Sequence, residues 1–134
     1  SFSAGEHNDC VAMAKQFADR THFVHLRSCY IFPNGNFTEA SHLGGRGHLI
    51  ELCRIFEKAE HEGKCNSGRR LPMRVDHGMT FTDEPGGVFD ESNHGHNAGY
   101  TLLGRMFAMG QIQGVIATVD DELGIDYKQP GFYD

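Results

Sequence analysis

Two short runs with strand character, His22-Phe23-Val24-His25-Leu26 and Leu71-Pro72-Met73-Arg74-Val75, flank a stretch with helical periodicity, and this alternation restricts the fold more than any other feature of the chain. From residue 48 to 62, Leu49, Leu52, Cys53, Phe56 and Ala59 fall on one side. Glu51, Arg54, Lys58 and Glu62 fall largely on the other, as in a helix lying on a core. Gly63 supplies its stop. An earlier helix is expected from Asn8 or Asp9, either of which can cap it, to about Ala18, on the spacing of Val11, Ala14, Phe17 and Ala18. A last helix is expected from Tyr100, with Leu103, Met106, Phe107 and Gly110 on a common face. The tail from Asp120 onward has no clear period and is assigned no structure. Helix, strand, loop, helix, strand, loop, helix is a βα repeat, so the expected class is α/β with a parallel sheet and right-handed crossovers. Two strands cannot bury both faces of a sheet. The chain is therefore expected to pair with further strands or with another chain.

At 134 residues the sequence is in the single-domain range. A closed eight-stranded α/β barrel needs roughly 250 residues, so strands belonging to one would form only a piece of it here. The opening Ser1-Phe2-Ser3-Ala4-Gly5 carries no initiator Met, charged segment or apolar run, and neither a signal peptide nor a membrane span is expected. A net charge of -6 without a Lys/Arg stripe argues against nucleic acid or an anionic membrane as the main partner. Cys10, Cys29, Cys53 and Cys65 stand far apart, with no zinc-ribbon spacing, which suits a reducing, cytoplasmic setting. Cys53 lies on the apolar helix face and reads as packing. Cys29 is the only cysteine near the chemistry described next.

The second strand ends in Val75-Asp76-His77-Gly78, which sets a carboxylate beside an imidazole: a hard-cation ligand next to a proton-transfer group. The first ends in His25-Leu26-Arg27, an imidazole and a guanidinium, suited to a divalent metal and an anionic oxygen substrate. Polar side chains at successive strand ends are how an α/β protein builds a site at the carboxyl edge of its sheet. The glycine-containing stretches 33–47 and 80–99 are long enough to suggest function or mobility. Taken singly, each group also has an ordinary role: His25 as a hydrogen-bonded strand residue, Asp76 as a cap, Arg27 as a strand-end ion pair, Tyr100 as packing at a helix start. His94 and His96, an i, i+2 pair in a glycine-rich loop, read as solvated side chains.

Several ordered segments together resemble a known family. Phe23-Val24-His25-Leu26-Arg27-Ser28, Asn36-Phe37-Thr38-Glu39-Ala40-Ser41-His42-Leu43-Gly44-Gly45, Pro72-Met73-Arg74-Val75-Asp76-His77-Gly78, Asn97-Ala98-Gly99-Tyr100 and Gly104-Arg105 are similar to the C-terminal third of the mannonate dehydratases. The resemblance runs from Ser1 to about Gly114. It implies the last two to three βα units of a (β/α)8 barrel of the xylose-isomerase-like kind, with the two strands as its seventh and eighth. It also implies a divalent metal, usually Mn²⁺, with Mg²⁺, Co²⁺ and Fe²⁺ accepting similar ligands, and conversion of D-mannonate to 2-keto-3-deoxy-D-gluconate in hexuronate breakdown. Carried over by position, His25 and Asp76 match metal ligands and His77 and Tyr100 match the acid/base residues. The remaining ligands, a cysteine and a further histidine, are expected upstream of Ser1. Arg27 is read as a partner for the substrate carboxylate or a hydroxyl, and His42 or Glu39 as reaching the sugar chain from the loop. The expected partners are the sugar acid, the remainder of the barrel and further copies of the same protein. A metal-dependent sugar isomerase or epimerase, or a non-catalytic fragment, stand as the alternatives.

Overall fold

A computed structural model describes residues 8–45, 47–79 and 102–126. Helix α1, Cys10–Phe17, is capped by Asp9, whose carboxylate accepts from the amides of Val11 at 3.0 Å and Ala12 at 2.9 Å. A single tighter turn, Ala18–Arg20, leads into strand β1, Val24–Leu26. Strands β2, Cys29–Ile31, and β3, Phe37–Glu39, follow, then α2, Leu49–His61, β4, Met73–Val75, and α3, Leu102–Leu123.

β1 and β4 pair in parallel, Val24 opposite Met73, His25 opposite Arg74 and Leu26 opposite Val75. Bonds from the Val24 amide to the Pro72 carbonyl (2.9 Å) and from the Asp76 amide to the Leu26 carbonyl (3.0 Å) carry the ladder past both ends. Pro72 sits at the start of its strand, where its missing N–H is not called upon. Strand–helix–strand with parallel pairing is the expected βαβ arrangement, and the amphipathic reading of α2 holds: Leu49, Cys53, Phe56 and Ala59 are buried. Gly63 ends α2 at φ 66°, with its own amide bonded to the Glu60 carbonyl at 2.9 Å and that of Lys64 to the Ala59 carbonyl at 2.9 Å. This is the doubly bonded glycine stop that satisfies the last carbonyls of a helix.

Val24, Leu26 and Val75 point into one core with Ala14, Ala18, Phe56, Ala108, Ile112, Val115 and Val119. All three helices thus contribute to one side of the β1/β4 pair. The opposite face holds Phe23, 48% exposed, His25 and Arg74. A parallel sheet is ordinarily covered on both faces.

Three elements differ from the sequence reading. Residues 33–47 are not one connecting loop, since β3 lies within them and pairs antiparallel with β2, Cys29 opposite Glu39. Its turn is built on Asn34 and Gly35: the Asn34 side chain accepts from the Asn36 amide at 3.0 Å, and Gly35 takes φ 88°. Helix α3 runs on through Asp120 to Leu123, where no structure was expected. The stripe Leu103, Met106, Phe107 and Gly110 does share a face, but that face is exposed; Gly104, Ala108, Ile112, Val115 and Val119 are the buried positions. Small residues lead here because the helix start presses on the strand end. A Cβ added at Gly78 would lie 2.6 Å from the backbone of Gly104. By length and composition α3 is also the one described helix long and apolar enough to cross a membrane, yet one side of it is core and its C-terminal turns pair with α2 through Arg54 and Glu122 at 2.8 Å.

Candidate active site at the strand ends

The register brings the polar ends of β1 and β4 together. Because His25 stands opposite Arg74, Asp76 two residues on emerges on the same face of the pair as His25. His25 Nδ1 lies 3.6 Å from Asp76 Oδ1, with side chains 46% and 23% exposed. The His25 ring rests edge-on against Phe23, centroids 4.8 Å apart. A nitrogen beside a carboxylate oxygen is a donor set that would suit Mn²⁺ and its neighbours. Among the described residues no group of three or more His, Cys, Asp or Glu is arranged to hold a metal. Of the expected ligands, the described residues bring together His25 and Asp76 as a pair.

His77, buried, lies on the next step. Its Nε2 is 4.0 Å from Asp76 Oδ1 and its Nδ1 is 3.7 Å from Glu39 Oε1. Both distances are those of electrostatic neighbours and fall short of hydrogen bonds. Glu39, delivered by β3, engages Arg27 from the end of β1: Arg27 Nε donates to Oε1 at 3.0 Å and to Oε2 at 3.2 Å, and Nη2 donates to Oε1. This bond, with the neighbouring carboxylate charges, holds the Arg27 guanidinium charged even more firmly than usual. The Phe37 ring covers it at 5.2 Å. The ordinary role considered for Arg27, a strand-end ion pair, is thus present, and it leaves the guanidinium one edge to offer.

His42 is 2% exposed. Its Nε2 is bonded to the Leu26 carbonyl at 2.9 Å, and its backbone amide donates to Gln111 Oε1 at 3.0 Å, which ties the loop to α3. Its Nδ1 is one of two buried side-chain atoms with no partner among the described residues. Cys29, fully buried, has its thiol pushed up to about 11 by burial and then by the Glu39 charge, so it stays protonated at neutral pH. A cysteine so held is packing and no nucleophile. Cys53, pushed up to about 12 chiefly by burial, is likewise packing. Tyr100, His94, His96 and the stretch 81–97 lie outside the described residues.

The sequence reading placed Glu39 in a loop as one of two groups reaching a sugar. Its position at the centre of Arg27, His77 and Cys29 depends on the hairpin. The signal for that hairpin was present: Cys29-Tyr30-Ile31, a short stretch containing Asn34-Gly35, then Phe37-Thr38.

With this geometry in place, comparison with known proteins is decisive. The sequence pattern of the family described as D-mannonate dehydratase (UxuA) matches residues 1–125. The chain belongs to that family. Mannonate dehydratase 2 of Agrobacterium fabrum is 37% identical over 125 residues, which is 92% of this chain and 30% of the relative. The mannonate dehydratase of Saccharophagus degradans is 34% identical over 90% of this chain and 29% of its own length. That of Brucella canis is 32% identical over 84% and 26% respectively. The chain spans less than a third of each of these relatives.

Proposed function

We propose that this chain forms the C-terminal part of a divalent-metal-dependent hydro-lyase that removes water from D-mannonate to give 2-keto-3-deoxy-D-gluconate, working in the cytoplasm. The observation that carries the reading is the convergence of His25, Arg27, Asp76 and His77 at the carboxyl ends of two parallel strands, in a chain of this family. The same pairing, with the described helices on one face and Phe23, His25 and Arg74 on the other, supports placing β1 and β4 as the last two strands of a (β/α)8 barrel whose interior is that second face. The remainder of the barrel then covers Phe23 and His25, and the assembled barrel associates with further copies of itself.

His25 and Asp76 would hold the metal, Mn²⁺ first and Mg²⁺, Co²⁺ or Fe²⁺ as substitutes. When bound, the ion supplies positive charge beside the substrate carboxylate, where negative charge builds as the neighbouring C–H loses its proton. The chain's own residues do the rest. Dehydration needs one group to take the proton beside the carboxylate and another to give a proton to the departing hydroxyl, and His77 and Tyr100 share these two transfers. His77 is suited by its place: it is buried, one residue from Asp76, and faces carboxylates on two sides. Arg27 takes the substrate carboxylate or a hydroxyl, and His42 supports the loop against Leu26 from behind.

The test is to incubate the intact protein with Mn²⁺ and D-mannonate and assay for a 2-keto-3-deoxy acid. Its formation is the expected result. Conversion to another sugar acid or ketose without that product would replace the reading with an isomerase or epimerase.

A further inference from the structure

We infer that Glu39 is a positioning residue, which turns Arg27 so that the end-on edge of its guanidinium faces the carboxylate of a sugar acid. The inference rests on the functional reading above and adds a residue and a selectivity to it. A guanidinium carries more N–H donors than one carboxylate can take, arranged as a side fork through Nε and one Nη and an end fork through both Nη atoms. Glu39 occupies the side fork, taking Nε at 3.0 and 3.2 Å together with Nη2. Nη1 has no partner among the described residues, so the end fork is the part of Arg27 still open.

The surroundings fix that choice. Phe37 covers the guanidinium at 5.2 Å, and Arg27 keeps 26% of its side chain exposed while that of Glu39 keeps 7%. Glu39 is closed on its remaining sides by the Cys29 sulfur at 4.0 Å and His77 Nδ1 at 3.7 Å. A ligand can therefore meet Arg27 but has little access to Glu39. Planar fork-to-carboxylate pairing is the geometry in which arginine discriminates best, and holding one fork removes rotamer freedom that the ligand would otherwise have to freeze. Lysine cannot reproduce this, since its ammonium is a point charge that one carboxylate satisfies. The expected ligand class is an acyclic sugar acid; the corresponding neutral polyol gains nothing from Arg27.

The experiment uses the intact Mn²⁺-loaded protein with D-gluconate as the binding probe and D-glucitol as its neutral counterpart, measured by calorimetric titration, beside steady-state kinetics on D-mannonate. Glu39→Gln cannot accept two N–H bonds through both side-chain atoms. It should weaken D-gluconate at least roughly tenfold and raise KM for D-mannonate more than it lowers kcat. Arg27→Lys should weaken D-gluconate by a similar factor, leave D-glucitol unmoved, and make a subsequent Glu39→Gln almost silent, because the pair acts as one unit. Fully additive losses, or D-gluconate binding in Arg27→Lys equal to wild type, would overturn the inference. Should Glu39→Gln unfold, Glu39→Asp, which is too short to reach the side fork, takes its place in the cycle with the same expected and overturning outcomes. Wild-type protein that binds D-gluconate but makes no 2-keto-3-deoxy acid would sink the functional reading and leave this one standing; a dehydrating enzyme whose variants bind normally would do the reverse.

Discussion

Glu39, at the end of β3, lies against the guanidinium of Arg27, whereas Glu57, on the side of α2 that faces α3, lies against a second carboxyl, Asp120. The two regions solve the burial of an acid in opposite ways. At the strand ends a cation neutralises the carboxylate and still has donors to spare. Between the helices burial, then the charges of Asp120 and Glu60, push Glu57 up to about 7, with Arg70 the opposing influence. Asp120 is raised as well, mainly by burial, while the hydrogen bond from Glu57, Arg70 and His61 pull it back. Burial thus raises both carboxyls where α2 meets α3. The strand-end cluster keeps a charged pair with donors to spare, whereas burial on the helix side favours the neutral form of its carboxyls.

The comparison breaks most sharply at Asp76. In the intact protein Asp76→Ala should abolish bound metal and activity together while the fold persists, because the carboxylate supplies the charge that holds a hard cation. Metal content equal to wild type, measured by atomic absorption, would remove Asp76 from the ligand set. Next in size, His77→Asn should keep the metal and lower turnover by roughly 10²-fold or more. Near-normal turnover would make His77 a structural residue of the strand end.

Gly78 sits where the two regions meet. Gly78→Ala would drive a Cβ to 2.6 Å from the Gly104 backbone and force α3 off the strand end. A loss of about 1–3 kcal/mol is expected from such overpacking, read as a lower urea midpoint. An unchanged midpoint would show that the start of α3 adjusts freely.

The smallest effect belongs to the titration of Glu57. Glu57 has its pKa raised from an ordinary 4.5 to about 7, so between those values the native state binds more protons than the unfolded chain. Stability from this group is complete below about pH 4.5 and is lost as the pH rises through 7. Solvent screening around the partly exposed Glu57 leaves an effect on the order of 1 kcal/mol. Asp120→Asn removes the opposing charge and offers Glu57 a donor, so it should flatten this loss between pH 5 and 8 in thermal melts. A variant with the wild-type slope would locate the proton elsewhere.

The sequence alone determined the βαβ order, the face of α2 and its glycine stop, because these rest on local periodicity and on one residue's backbone freedom. It also placed the chemically apt groups, His25, Arg27, Asp76 and His77, at strand ends, since an apolar run that closes on polar residues marks the edge of a sheet. What it could not determine was contact across the chain. Strands as short as β2 and β3 are too brief to show a period, and although Asn34-Gly35 marks their turn in the sequence, the meeting of Glu39 with Arg27 emerged only in three dimensions. The same holds for α3, where a stripe of Leu103, Met106 and Phe107 looks like a core face by hydrophobicity. Close approach of backbone to backbone at Gly78 and Gly104 gives the core to the small residues instead. Periodicity reports which residues share a side; which side is buried, and which charges meet, is settled by the packing of elements far apart in sequence.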